Sequence, residues 1–283
     1  MPRLESVKRL VCRWFSSILF FVLLGLILGG FISVAAIPKP NIGIITISGT
    51  ILKQSYTDDI LHMLSYARDE SSIKAVVLQI DSPGGGASVT EQIYLDILRL
   101  RQQKLVVASI GTSGASGGYY IAVAANYICA EPTSILGSVG AWMSLPGPEK
   151  LNEYILTTGP FKATGGSHRK AFGTLETFRQ QFVAVVMSQR GERLKLSEVE
   201  LSRAEIYTGV EGLRYGLIDD IGTSTNAIEK AASLAGVRNF GVIDINQELD
   251  VWQPVYWPFA GIDELKSQTG TMPGYYYLYF ESE

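Results

Sequence analysis

Residues 105–125 read LVVASIGTSGASGGYYIAVAA and contain the pattern that decides the fold. The apolar run at residues 105–110 predicts a buried strand, and the glycines that follow it predict a turn. The apolar segment after the turn predicts a helix over residues 117–125. Ser116 is therefore expected between glycines at the start of a helix, a position that suits a serine nucleophile.

The same alternation of strands and helices extends to both sides of this unit. The predicted elements are strands at residues 42–47, 75–80, 127–130 and 240–245, and helices at residues 58–68, 88–101, 175–194 and 226–235. Repeated strand–turn–helix units of this length imply an α/β fold with mainly parallel strands. In such folds the chemistry lies at the carboxyl ends of the strands.

Composition limits the class of protein. The chain has 283 residues, of which 47% are hydrophobic and 18% charged, so it can bury a core in one large domain with appendages. A formal net charge of −3 gives no broad basic surface for nucleic acid. No His, Cys or acid cluster has metal-ligand spacing and neither glycine turn matches a phosphate-binding loop, so we expect no metal and no organic cofactor.

The amino terminus has the pattern of a membrane anchor. Residues 1–13 contain four basic side chains and one acid, and residues 14–38 contain no charged side chain. We therefore predict a cytoplasmic segment at residues 1–13, a transmembrane anchor at residues 14–38 and an extracytoplasmic remainder. A cleaved signal peptide, ending near Ser33-Val34-Ala35, is the alternative. With the anchor retained, Cys12 and Cys129 are expected on opposite sides of the membrane and form no disulfide.

A serine hydroxyl becomes a good nucleophile only when a base removes its proton, and the sequence contains few candidate bases. The two histidines, His62 and His168, are expected at the surface, so a histidine triad has little support. A lysine can serve if it is neutral, but its ordinary pKa is near 10.4, so burial must favour the uncharged amine. Lys162 follows Gly159-Pro160-Phe161 and has no acid beside it, whereas Lys170 follows His168 and Arg169 and is expected in solvent.

Three glycine-containing motifs resemble the signal peptide peptidase A family of membrane-anchored serine proteases, and two later segments extend the resemblance. The motifs are Asp81-Ser82-Pro83-Gly84-Gly85, Ala115-Ser116-Gly117-Gly118-Tyr119-Tyr120 and Gly137-Ser138-Val139-Gly140, and the segments are Ala204-Glu205-Ile206-Tyr207-Thr208-Gly209 and residues 216–222. The resemblance covers residues 42–235. It implies the Clp protease/crotonase-like fold of repeated β-β-α units.

The resemblance also implies roles for individual residues. Ser116 matches the nucleophile, Lys162 the general base and Ser138 the residue that orients the lysine, while the N–H groups of Gly85 and Gly117 match the oxyanion hole. The segment around Lys162 lacks the Tyr and Asp that flank the family's lysine, so Lys170 stays open as the base. Family members form rings or domes, so a homo-oligomer is expected.

These features predict a catalytic domain at residues 39–246 and an aromatic-rich tail at residues 247–283. The tail is expected to pack on the domain edge or a neighbouring subunit, or else to lie at the membrane interface. The expected function is a membrane-anchored serine endopeptidase that cuts hydrophobic peptides, such as cleaved signal peptides, through a Ser/Lys dyad. The alternatives are a catalytically weak scaffold that binds peptides, and acyl-CoA hydratase or hydrolase chemistry.

Overall fold

The structure is a computed structural model that describes residues 14–15, 17–29, 39–144, 158–159, 161–162, 165–251 and 274–278. Two units are present, Met1–Lys39 and Pro40–Glu283. In the first unit, residues 14–15 and 17–29 are helical. Over the described residues, no helix combines the length and apolar character needed to cross a membrane. Residues 16 and 30–38 of the expected anchor lie outside the described residues.

The second unit contains a mainly parallel sheet and a small antiparallel one. In chain order its strands are β1 (Asn41–Ser48), β2 (Ile73–Ser82), β3 (Gly84–Gly86), β4 (Leu105–Ala115), β5 (Tyr127–Ala130), β6 (Ile135–Gly137), β7 (Trp142–Ser144), β8 (Ile206–Thr208), β9 (Asp220–Ile221), β10 (Gly241–Asp244) and β11 (Gly274–Leu278). Six strands follow the order β10-β1-β2-β4-β5-β9, all pairing in parallel. This confirms the predicted α/β fold with mainly parallel strands.

Helices connect these strands and cover the sheet. They are α1 (Gln54–Asp69), α2 (Ala87–Arg101), α3 (Gly117–Ala122), α4 (His168–Arg190), α5 (Glu198–Leu201), α6 (Gly209–Tyr215), α7 (Ser224–Leu234) and α8 (Ile245–Glu248). The helix predicted over residues 175–194 begins seven residues earlier, at His168, and ends at Arg190. Among the predicted strands, the boundaries differ most at β4, which continues five residues past Ile110. The extension exists because β6 pairs in parallel with residues 113–115 of β4, a non-local contact that periodicity does not reveal.

The side chains of the parallel strands alternate between two apolar layers. Val76, Leu78 and Ile80 of β2 join the larger core formed with α1 to α4, whereas Ala75 and Val77 join a smaller core. That smaller core includes Ala227, Ala231 and Ala232 of α7, whose short side chains let the helix lie close to the sheet. Burial on both faces explains why the strands are nearly continuous apolar runs.

A buried ion pair attaches the end of α4 to the edge of the sheet. The Arg190 guanidinium donates to both carboxylate oxygens of Asp219, at 3.0 and 2.9 Å, and its Nε donates to the Gly216 carbonyl at 2.8 Å. Asp219 also accepts from the Ile128 N–H of β5 at 2.8 Å. Burial alone would raise the pKa of Asp219, but the hydrogen bonds and charge of Arg190 lower it below its ordinary value.

Replacing Arg190 with methionine is expected to lower the free energy of unfolding by about 3 kcal/mol, because a buried carboxylate would lose its main partner. Because folding lowers the pKa of Asp219, the stabilisation is present above the unfolded value near 3.9 and disappears as the pH falls through the folded value. Urea unfolding should therefore show a wild-type advantage that is full at neutral pH and shrinks as the pH falls below the unfolded value.

The matched control for this prediction is Arg203→Met, which removes an exposed ion pair with Glu205. Such a pair contributes about 1 kcal/mol or less. Equal effects of the two substitutions at neutral pH would contradict a special role for the buried pair.

Candidate active site

Ser116 occupies a strained turn between β4 and α3. Its backbone has φ 51° and ψ −117°, and its side chain makes no capping hydrogen bond to the helix that follows. A non-glycine residue in such a conformation costs about 1–3 kcal/mol and is held by its surroundings. Here the Ser116 N–H donates to the Gly137 carbonyl at 2.8 Å, and the Ser116 carbonyl accepts from the Tyr120 N–H at 2.9 Å.

Ser138 lies beside Ser116 at the end of the neighbouring strand. The parallel register of β4 and β6 pairs Ala115 with Gly137. Ser116 and Ser138 directly follow these paired residues, and neighbouring strands lie about 5 Å apart. Ser138 also has a positive φ, 52°, and its N–H donates to the Glu205 carbonyl at 2.9 Å. The structure thus brings together two of the residues selected from the sequence, while the role of Ser138 in orienting a lysine stays a prediction.

Gly85 lies in β3 at a position where no side chain fits. A Cβ atom there would lie 1.9 Å from the Ile51 carbonyl oxygen. Ile51 donates to the Gly84 carbonyl and accepts from the Gly86 N–H, each at 2.9 Å. Because backbone groups alternate in direction along a strand, the N–H of Gly85 points to the opposite edge of β3. A carbonyl group of a strand lying along that edge of β3 could accept a hydrogen bond from this N–H.

The start of α3 lies close to the turn that precedes β3. A Cβ atom on Gly118 would lie 2.4 Å from the Ser82 carbonyl oxygen, so only glycine allows this approach. Gly117 is the first residue of α3, where N–H groups have no carbonyl partner within their own helix. The segments that hold Gly85 and Gly117 are therefore in contact, and their function as an oxyanion hole stays a prediction.

Asp81 and Ser82 hold the turn before β3 in place. The Asp81 carboxylate accepts from the Ser113 N–H at 2.9 Å, so it satisfies a backbone donor of β4. Ser82 donates through its hydroxyl to the Gly49 carbonyl at 2.7 Å and accepts from the Gly84 N–H at 3.1 Å. This role of Ser82 was not predicted from the sequence; its position before a Pro-Gly turn was the available signal.

Lys162 lies in an exposed turn and not in the apolar setting expected for a neutral amine. The turn is closed by the Lys162 N–H, which donates to the Gly159 carbonyl at 3.2 Å, and the preceding Phe161 is 52% exposed. The expected burial of Lys162 is therefore wrong for the single chain, because the side chain before it projects into solvent and does not cover the amine. Its assignment as the base stays a prediction.

The other candidate bases are also exposed. His62 lies on α1, and His168 and Lys170 lie in the first turn of α4, where the Lys170 N–H donates to the Ser167 hydroxyl at 3.2 Å. Within the described ranges, no hydrogen bond joins Ser116 to a lysine or a histidine. His62 is confirmed as a surface residue.

The pairing of β11 with β3, beside the site, was not predicted from the sequence. β11 comes from the aromatic tail and lies between β3 and β7, antiparallel to both. This confirms packing against the domain for residues 274–278, while residues 252–273 and 279–283 lie outside the described residues. The run of tyrosines at residues 275–277 was the available signal, since aromatic residues favour strands.

The part of the chain that contains these glycine motifs is similar to known proteases. Residues 99–238 match the model of peptidase family S49, and residues 41–135 match that of Clp protease. The chain is 30% identical over 221 residues to Protease 4 of Haemophilus influenzae, covering 70% of this chain and 36% of that protein. It is 33% identical over 184 residues to a Synechocystis protein named as a protease, covering 60% of this chain and 66% of that protein.

A plant relative is also named as a serine protease. The chloroplastic serine protease SPPA of Arabidopsis thaliana is 28% identical over 199 residues, covering 64% of this chain and 29% of that protein. The chain thus spans about a third of the length of the Haemophilus and Arabidopsis relatives and about two thirds of the Synechocystis relative.

Proposed function

The chain belongs to peptidase family S49 and is a serine peptidase, and from that premise we propose that Ser116 is the nucleophile of an endopeptidase that cuts hydrophobic peptides. The observation that carries the proposal is the conformation of Ser116, which is held at positive φ at the end of a parallel strand. Its hydroxyl makes no capping hydrogen bond to α3. A strained strand-to-helix turn is the geometry that presents a serine hydroxyl to substrate.

The proposed reaction proceeds through an acyl-enzyme. Ser116 Oγ attacks the peptide carbonyl carbon while its proton passes to the Lys162 amine, and the N–H groups of Gly85 and Gly117 bind the oxyanion. The C–N bond then breaks and the lysine returns the proton to the leaving amine. Water next attacks the ester, with its proton passing first to the lysine and then to Ser116, which releases the acid product.

Exposure of Lys162 in the single chain constrains this mechanism. A solvated lysine is almost entirely charged at neutral pH, with fewer than about one in a thousand in the neutral form. The base must therefore be covered in the active state. We propose a homo-oligomer in which a neighbouring chain covers the turn at residues 161–162 and shields the amine.

The amino-terminal segment supports an activity close to a membrane. The uncharged stretch at residues 14–38 follows a basic segment, so we propose a single-pass anchor with the amino terminus in the cytoplasm and the catalytic domain outside. An anchored peptidase meets the fragments that leave the bilayer, and cleaved signal peptides are such fragments. A peptide-binding scaffold without turnover is the second candidate, favoured by the exposure of Lys162.

Labelling with a fluorophosphonate tests the nucleophile directly. The full-length chain in detergent micelles is expected to take up one label, found on Ser116 by peptide mass spectrometry, because only an activated hydroxyl reacts rapidly. The matched control is Ser113→Ala, which removes a buried hydroxyl from the same strand and is expected to leave the labelling rate unchanged within about twofold. A folded chain that takes up no label would favour the scaffold.

A further inference from the structure

Three residues with strained backbones lie close together at this end of the sheet. Ser116, Ser138 and Ala204 have φ angles of 51°, 52° and 55°, which non-glycine residues rarely adopt. The Ser138 N–H donates to the Glu205 carbonyl, and a Cβ atom on Gly140 would lie 3.0 Å from the Cβ of Ala204. Such conformations persist only when the surrounding structure holds them. Some part of the fold must therefore hold these turns in place.

β6 lies between β4, the strand that leads to Ser116, and β8. On one edge of β6, the Gly137 carbonyl accepts from the Ser116 N–H at 2.8 Å. On the other edge, β6 pairs antiparallel with β8, which places Leu136 opposite Tyr207. The position of Ser116 thus depends on Gly137, and the position of Gly137 depends on β8.

The side chain of Tyr207 lies against Gly137. A Cβ atom on Gly137 would lie 2.9 Å from Cδ2 of Tyr207 and 2.8 Å from the Glu205 carbonyl oxygen, so no side chain fits there. Gly137 has φ 98°, a conformation that favours glycine. Tyr207 is buried and packs edge-to-face on Tyr215 of α6, with ring centroids 5.4 Å apart. The Tyr207 ring therefore connects α6 to the residue that binds the Ser116 N–H.

The start of α6 is fixed to the sheet by close contacts. A Cβ atom on Gly209 would overlap the carbonyl oxygen of Glu131, which follows β5, so only glycine allows this approach. The Glu211 carboxylate accepts from the Thr208 N–H at 2.8 Å, and the Thr208 hydroxyl accepts from the Glu211 N–H at 3.3 Å. Reciprocal bonds of this kind stabilise the first turn of a helix. They fix the end of β8 and, with it, the backbone of Tyr207.

We propose that Tyr207 is a positioning residue for the nucleophile, whose ring keeps the Gly137 carbonyl where it holds the Ser116 turn at positive φ. Tyr207 acts through the backbone of β6 and takes no part in the proton transfers. The proposal rests on the proposed function, because it requires Ser116 to be the nucleophile. A displacement of about 1 Å in a reacting group can slow a reaction about 10²-fold. Loss of the ring should therefore affect the chemical step more than substrate binding.

Tyr207→Ala tests this role in the full-length chain in detergent micelles. The two measurements are the rate at which fluorophosphonate labels Ser116 and the cleavage of a quenched fluorescent peptide. The substitution is expected to lower the labelling rate and kcat about 10²-fold each, while KM changes less than about threefold. Tyr207→Phe keeps the ring and should keep both rates within about threefold of the parent.

The matched control is Tyr215→Ala, which removes the other ring of the aromatic pair and leaves Tyr207 beside Gly137. It is expected to change kcat and the labelling rate less than about fivefold, since the Gly137 contact remains. Tyr207→Leu serves if the alanine chain does not fold, because leucine keeps apolar bulk without the ring. It should lower both rates about tenfold, since the contact with Gly137 is only partly replaced.

The outcomes separate the positioning role from the nucleophile itself. Equal losses for Tyr207→Ala and Tyr215→Ala, or labelling of the Tyr207→Ala and Tyr207→Leu chains at the parent's rate, would overturn the positioning role and keep Ser116 as the nucleophile. An effect on KM alone would overturn it as well. A parent chain that takes up no label would reject the nucleophile, and the positioning role with it.

Discussion

Replacing Ser116 with alanine is expected to lower kcat/KM for a hydrophobic peptide by about 10⁴-fold or more, because no acyl-enzyme can form without its hydroxyl. Loss of a serine nucleophile costs about this much even when the oxyanion donors remain. The measurement is the rate of cleavage of a quenched fluorescent peptide. The full-length chain should be assayed in detergent micelles.

Alanine is a suitable replacement because it also has a Cβ atom and meets the same conformational penalty at positive φ. Urea unfolding should therefore give similar free energies for the two proteins, within about 1 kcal/mol. The control Ser113→Ala should retain activity within a few-fold. Cleavage by the Ser116→Ala chain at a rate within tenfold of the parent would place the nucleophile elsewhere.

Replacing Lys162 with alanine is expected to lower kcat about 10³-fold, because a general base contributes roughly 10²–10⁴-fold to such reactions. The matched substitution Lys170→Ala removes an equally exposed amine in the first turn of α4 and should change kcat less than about threefold.

The reverse result, with a large loss for Lys170→Ala and little for Lys162→Ala, would reassign the base. Small effects from both substitutions would reject the lysine mechanism. Burial of Lys162 on assembly can be followed separately. The amine should react more slowly with an acylating reagent in the oligomer than in the dissociated chain, whereas Lys170 should react alike in both.

Local patterns predicted most of the parallel sheet. The apolar runs of β1, β2, β4 and β5 carry their own signal because both faces of the sheet are covered. The continuation of β4 to Ala115 depends on pairing with β6, and the position of β11 depends on two strands that are far away in sequence. Such non-local pairings leave no period in the local sequence, so they were missed.

In the candidate site, too, the features set by local sequence were predicted and those set by non-local packing were not. Ser116 and Gly85 lie in short glycine motifs whose turn geometry is largely local, and the structure places both motifs in contact with α3 or at its start. The environment of Lys162 depends on which parts of the protein pack over its turn. The residues next to it in sequence do not determine that packing. The ion pair of Arg190 with Asp219 joins segments 29 positions apart, and neither residue carries a local signal.

The backbone at residue 116 also has an evolutionary consequence. A φ of 51° with ψ near −117° is a conformation that glycine adopts more readily than serine does. With serine there, the domain is less stable than it would be with glycine, which would supply no hydroxyl. The turn therefore exchanges folding stability for reactivity. A mutation of Ser116 to glycine would give a more stable protein without catalytic activity.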